Sequence, residues 1–124
     1  MNKNEELKTG SLAVSSEMHT YLTSLVQTKD SEYSEDRPFT SIVEAFRFAF
    51  ALGLSKGKRK SREGEQMTVA PRQFTVADYI ELVEDEARKG DDSLGAIISD
   101  YAEGGADMMY RYSKKNKSIL DMMN

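Results

Sequence analysis

Residues 41–55 read SIVEAFRFAFALGLS and are the most strongly patterned stretch of the sequence. Six apolar residues recur at helical spacing and form one broad face: Ile42, Val43, Phe46, Ala49, Phe50 and Leu54. Four more nearly close the circle: Ala45, Phe48, Ala51 and Leu52. A helix that is apolar on nearly all sides is a buried helix. We therefore expect this helix at the centre of the core or of an oligomer interface.

The boundaries of this helix also follow from the sequence. Ser41 and Glu44 have the spacing of a capping box, in which each side chain satisfies a free backbone amide at the helix start. Gly57 stands just beyond the last apolar residue, where glycine often ends a helix. The spacing predicts a helix from Ser41 to Ser55.

The preceding residues predict a shorter helix over 16–28, on which Met18, Leu22 and Leu25 recur at helical spacing. Residues 11–15 alternate between polar and apolar side chains, which fits a short strand or an extended lead-in. Residues 1–10 are polar, and we expect them to be frayed. Residues 29–38 predict a loop, since Pro38 disfavours helix at the residue before it.

Two further helices are expected after a loop over residues 56–74, in which residues 67–70 can form an extended stretch. Thr75 can cap a third helix that Gly90 ends, with Val83 and Ala87 facing the core. A fourth helix begins near Ser93, and its apolar stripe continues through Gly104-Gly105. Either one long helix passes through the glycines, or two helices meet there at a hinge. In a continuous helix, the glycines would let another helix approach closely.

Length and composition indicate one domain. The chain has 124 residues, of which 39% are hydrophobic and none is cysteine. The missing cysteines exclude a disulfide scaffold, a thiolate zinc site and a cysteine nucleophile. The longest apolar stretch, Phe48 to Leu54, is far shorter than the ~20 residues that span a bilayer. We expect a mainly α single compact domain over residues 1–124, with four to five helices, an optional short N-terminal strand and a cytoplasmic location.

A short basic segment interrupts an otherwise acidic chain. The net charge is −4, yet residues 56–62 contain only basic charged residues. These are Lys56, Lys58, Arg59, Lys60 and Arg62. Clustered cations attract phosphate or an acidic partner, so they are the candidate DNA- or partner-binding residues. The structural alternatives are a solvated linker, or cations that suit the negative end of the preceding helix dipole.

The motifs of catalysis are missing from the sequence. There is no phosphate-binding glycine loop and no arrangement that indicates a Ser-His-Asp triad. The only histidine, His19, lies off the apolar stripe. Four acids on the third helix could in principle gather a divalent cation: Asp78, Glu81, Asp85 and Glu86. A solvated helix face is the simpler reading of these acids, so we expect no enzyme, no metal and no cofactor.

The first 55 residues resemble a ribbon-helix-helix DNA-binding unit, which has a strand, a helix, a loop and a second helix. Such proteins are dimers that pair their strands and place the ribbon in the major groove. In this chain the connection between the helices is longer than in that family. The outward positions of the strand hold Ser11, Ala13 and Ser15 rather than base-reading side chains. A dimeric transcriptional regulator is the alternative function.

A second resemblance covers residues 37–112. Residues 37–39 read RPF, residues 48–59 read FAFALGLSKGKR and residues 100–105 read DYAEGG. These segments resemble the small accessory proteins associated with bacterial DNA phosphorothioation (Dnd-type) systems, although Glu103 stands where that family has asparagine. The resemblance implies a cytoplasmic, non-enzymatic accessory or adaptor subunit of a DNA-modification or restriction assembly. We expect it to contact partner proteins, with auxiliary DNA contact, and to form a homo-oligomer.

Overall fold

The computed structural model describes residues 12–28, 37–69, 80–90 and 92–115. Its elements in chain order are β1 (Ala13–Ser15), α1 (Ser16–Thr23), α2 (Ile42–Ser55), β2 (Gln66–Thr68), α3 (Ile80–Lys89) and α4 (Leu94–Ser113). The prediction of a mainly α compact domain with a short N-terminal strand is confirmed. Within these residues, no helix is both long and apolar enough to cross a membrane.

Helix α2 begins and ends as the sequence predicts. The Ser41 hydroxyl accepts a hydrogen bond from the Glu44 amide at 3.1 Å, while the Glu44 carboxylate accepts one from the Thr40 hydroxyl. At the other end Gly57 adopts a left-handed φ of 62°. That conformation lets the Lys58 amide bond the Gly53 carbonyl at 2.7 Å, which closes the last turn.

Helices α2 and α4 form the centre of the core and cross at their glycines. A Cβ atom on Gly105 would lie 1.8 Å from the Ala49 carbonyl oxygen, and one on Gly53 would lie 2.0 Å from that of Tyr101. Only hydrogen atoms fit in such gaps. Helix α4 is continuous through Gly104 and Gly105. The glycines therefore mark a close-packing site and not a hinge.

Strand β1 is buried between β2 and α4. It pairs with β2 in an antiparallel register that places Val14 opposite Met67. On its other edge, the Ala13 amide donates to the Ser99 hydroxyl at 2.9 Å. The Ser15 amide donates to the Glu103 carboxylate at 2.8 Å. Both edges of β1 are thus satisfied within the chain.

One predicted boundary is wrong. Helix α1 ends at Thr23 and not at residue 28, because the chain leaves the helix to form a parallel bridge between Val26 and Phe39. Within the predicted loop over 56–74, residues 66–68 form β2 and complete the ladder of β1, which overlaps the extended stretch expected at 67–70. Predictions for residues 1–10, most of the 29–38 loop, the start of the third helix and the C-terminal tail lie outside the described residues.

Candidate functional site

The basic segment, residues 56–62, lies directly across helix α4. Gly104 makes this possible, since a Cβ atom there would lie 1.9 Å from the Lys58 carbonyl oxygen. Two residues on, the Lys60 amide donates to the Asp100 carbonyl at 3.0 Å. Gly104 thus allows the basic segment to pack closely against α4, whereas its neighbour Gly105 allows helix α2 to do so.

Arg59 is the centre of an ion-pair cluster. One guanidinium nitrogen, Nη2, lies 2.6 Å from Asp92 and 3.1 Å from Asp100, and Nη1 lies 3.3 Å from Glu86. Partial burial alone would lower the pKa of Arg59, but the bonds to Asp92 and Asp100 outweigh it and raise that pKa. Arg59 therefore stays charged and joins the ends of α3 and α4 to the basic segment.

Two more of the predicted cations also pair with α4. Arg62 Nε lies 3.1 Å from Asp100, so this aspartate serves both arginines. Lys60 Nζ lies 3.3 Å from Asp107, which also holds Arg111 at 3.1 Å. Three of the five predicted binding residues thus neutralise acids of their own chain.

Lys56 and Lys58 remain on the surface. Both residues are exposed, and neither forms an ion pair with any of the described residues. Such side chains can contact a phosphate or a carboxylate of a partner without breaking an internal bond. The structure therefore divides the basic segment into a clamp (Arg59, Lys60 and Arg62) and two exposed lysines that pair with no described acid.

The acids that complete the clamp are missed by sequence reasoning. Asp100 and Asp107 belong to the fourth helix, and their charges could be matched to the basic segment only after its path across α4 was known. The sequence indicates buried Glu103 more weakly. Glu103 follows Ser99 by one helical turn and precedes Asp107 by another, on a mostly apolar helix. That spacing indicates a stripe of polar side chains that bonds to another polar segment of the protein.

Tyr101 belongs to the same cluster. Its hydroxyl donates a short hydrogen bond to the Glu86 carboxylate, and its ring packs edge-on against Phe50 at 6.5 Å. Burial and the Glu86 bond together raise the pKa of Tyr101 to about 12. This tyrosine therefore links the core to the ion pairs.

A second candidate surface lies along α2, on positions other than Ala49 and Gly53, which face the backbone of α4. An open groove of about 520 Å³ runs along it, lined by apolar side chains with a few polar residues at its rim. Its apolar lining is Phe39, Phe48, Phe50, Ala51, Leu54 and Leu82. Leu82 of α3 is 56% exposed, which is unusual for a large apolar side chain beside other apolar groups.

The acidic helix shows no metal site in the part of the chain that the structure describes. There, no three His, Cys, Asp or Glu side chains are placed to hold an ion. Glu86 faces Arg59 and Tyr101 instead. Asp78 lies outside the described residues.

Comparison with known proteins does not identify a relative. No protein-family model, curated protein or solved structure matches the chain. The ribbon-helix-helix alternative needs a strand whose edge can take the strand of a second copy. Both edges of β1 are occupied within the chain, so no observation here favours that alternative, and it stays a prediction from the sequence.

Proposed function

We propose that this protein is a non-enzymatic accessory or adaptor subunit of a prokaryotic DNA-modification or defence assembly in the cytoplasm. It acts by binding a helix of a partner protein in the groove along α2. The observation that carries this proposal is that groove, together with the exposed Leu82 beside it.

The groove has the dimensions and chemistry of a helix-binding surface. From Arg47 to Ser55 it follows about two turns of α2, or about 12 Å. Its described lining is mainly apolar, with Glu44, Arg47 and Ser55 as its polar members, and it is open, whereas small-molecule sites enclose most of their ligand. Glu44 and Arg47 stand at one rim with opposite charges. An amphipathic partner helix fits this surface, with apolar anchors one turn apart and polar flanks at the rim.

The ion pairs of the basic segment favour protein contacts over DNA contacts. Arg59, Lys60 and Arg62 are engaged with α4, which leaves Lys56 and Lys58 for an auxiliary contact. Two lysines supply too few phosphate contacts to bind duplex DNA tightly by themselves. DNA contact is therefore a secondary part of the proposal.

The type of assembly is proposed from the resemblance to Dnd-associated accessory proteins. Two of the segments that carry it, residues 48–59 and 100–105, pack against each other at the crossing of α2 and α4. Their glycines and charged residues make one joint, which supports a shared structural element. The same segment, residues 48–59, supplies Phe48, Ala51 and Leu54 to the groove, so the joint holds that surface in place.

A charge placed in the groove tests this function in cells. A deletion strain complemented with the Leu82→Arg variant should lose at least about tenfold of its restriction of unmodified plasmid, since a buried anchor is worth more than 1.4 kcal/mol. The measurement is transformation efficiency, with protein level checked by immunoblot. Glu63→Arg is the matched control, because Glu63 is exposed and lies outside the groove. Full restriction with Leu82→Arg at normal protein level would contradict the proposal.

A further inference from the structure

The two-stranded sheet has one closed edge and one open edge. Strand β1 closes its own outer edge on α4, through Ser99 and Glu103. Strand β2 lies on the other side of β1, and all three of its residues are exposed. Among the described residues, β2 is therefore the edge at which the sheet can take another strand.

The register shows which backbone groups of β2 are free. The Glu65 carbonyl accepts from Ser16 at 2.7 Å, and the Val69 amide donates to Leu12 at 2.9 Å. Because backbone groups alternate in direction along a strand, the residues that face β1 are 65, 67 and 69. The amides and carbonyls of Gln66 and Thr68 point away from β1, and among the described residues nothing bonds them.

Met67 adds an apolar contact to this edge. It is 39% exposed, and within the described residues only Leu82 is another large apolar side chain with so much surface in water. Its partner in the ladder, Val14, is completely buried. Met67 thus continues the apolar core to the edge of the sheet, where its own side chain is partly exposed to water.

We infer that β2 pairs with the β2 strand of a second copy of this chain, antiparallel and about a two-fold axis through Met67. In that register Gln66 of each copy lies opposite Thr68 of the other, and each such pair exchanges two hydrogen bonds. The two Met67 side chains meet in the close, non-hydrogen-bonded pair and cover each other. Every free group of the edge finds its complement in the same strand, which is why the occupant is a second copy.

The charges beside the strand permit this pairing. Glu65 of one copy would lie opposite Val69 of the other, so the two Glu65 residues stand four positions apart along the ribbon. Four residues of an antiparallel strand span about 14 Å, which exceeds the Debye length of about 8 Å at physiological salt. The repulsion between these carboxylates is therefore largely screened.

Amide hydrogen exchange tests the pairing with an internal control. In a monomer, the amides of Met67 and Val69 are protected by β1, while those of Gln66 and Thr68 exchange freely. We expect exchange at Gln66 and Thr68 to slow several-fold between micromolar and millimolar protein, in step with a rise from monomer to dimer mass by sedimentation. Exchange of these two amides at the unprotected rate over the whole range would overturn the inference.

Two variants separate this edge from other interfaces. Thr68→Pro removes an outward amide that β1 does not use, and Met67→Lys places two like charges at the two-fold axis. Both variants should keep the circular dichroism spectrum of the wild type and lose the dimer. Leu82→Lys places its charge in the groove instead, so this variant should still form the dimer. A dimer that survives both edge variants would place the interface elsewhere. Concentration-independent protection of Gln66 and Thr68 in a monomer would show that the chain covers its own edge. Either result would overturn the inference.

Discussion

Single glycines control the approach of the two central helices. Gly105 faces the backbone of α2, where a methyl group would meet the Ala49 carbonyl oxygen at 1.8 Å. A carbonyl in the middle of a helix cannot move aside as a flexible side chain can. The Gly105→Ala variant should therefore lose about 3 kcal/mol or more of unfolding free energy, measured by urea denaturation.

Gly90 provides the matched control for that substitution. A Cβ atom at Gly90 would lie 3.5 Å from its nearest contact, which is ordinary van der Waals distance, and the backbone there is not left-handed. Gly90→Ala should change stability by less than about 1 kcal/mol. Equal effects of the two substitutions would show that the helices are not in close contact at Gly105.

Tyr101 should give the protein a distinct alkaline titration. Burial, and then its bond to Glu86, raises its pKa to about 12, whereas the unfolded value is 10.0. A raised tyrosine pKa means that the folded state favours the neutral form. This stabilisation is complete below pH 10 and is lost as the pH rises towards 12. Burial also raises the pKa of Tyr21. Absorbance at the phenolate band should therefore show a late step to which both tyrosines contribute, and Tyr101→Phe should reduce the amplitude of that step by one tyrosine. An unchanged late amplitude in this variant would contradict the assignment.

At the scale of elements, a buried carboxylate joins the sheet to helix α4. Glu103 is 3% exposed and accepts from both the amide and the hydroxyl of Ser15, at 2.8 and 2.6 Å. Glu103→Ala would leave that amide unpaired and open a cavity, so it should cost about 2–4 kcal/mol. Glu103→Gln keeps an acceptor and should cost less.

The same denaturation experiment has a control among the exposed acids. Glu63 forms no ion pair with the described residues and is exposed, so Glu63→Ala should change stability by less than about 0.5 kcal/mol. Faster exchange of the Ser15 amide in Glu103→Ala would locate the damage at β1. Unchanged stability in that variant would show that the bonds to Glu103 do not hold the strand.

The helices were predictable, because their signals are local. The start and end of α2 follow from Ser41 and Gly57, and α4 begins next to Ser93, near which its start was predicted. The early end of α1 and the presence of β2 depend on pairings between residues distant in sequence. The sequence allowed an extended stretch at residues 67–70, but periodicity in a single window could not identify the partner of this short exposed strand.

The candidate site was predictable only in part. The five cations of the basic segment are conspicuous in an acidic chain, and the sequence also suggested a structural role beside a helix end. Which of them are engaged depends on the path of the segment over Gly104, which brings it to Asp100 and Asp107. The groove could not be foreseen, since an all-round apolar helix does not show which of its sides is left open.

At the scale of the whole molecule, the structure separates its charges from its apolar surface. The clamp binds the basic segment to α4, and the groove lies along α2. An adaptor that works through protein contacts should therefore bind nucleic acid weakly and through few phosphates. This is the central claim of the account.

Salt-dependent binding of duplex DNA tests that claim most directly. Each phosphate contact adds about −0.9 to the slope of log affinity against log salt, so Lys56 and Lys58 together account for a slope of about −1.8. We predict a slope no steeper than this for the wild type. The double variant Lys56→Ser, Lys58→Ser should show no salt-dependent binding. The control double variant Lys89→Ser, Lys115→Ser should keep the wild-type slope, because it removes the same charge from two other exposed positions. A slope near about −4.5, as expected if all five cations of the segment contacted phosphate, would contradict the account and make this protein a DNA-binding one.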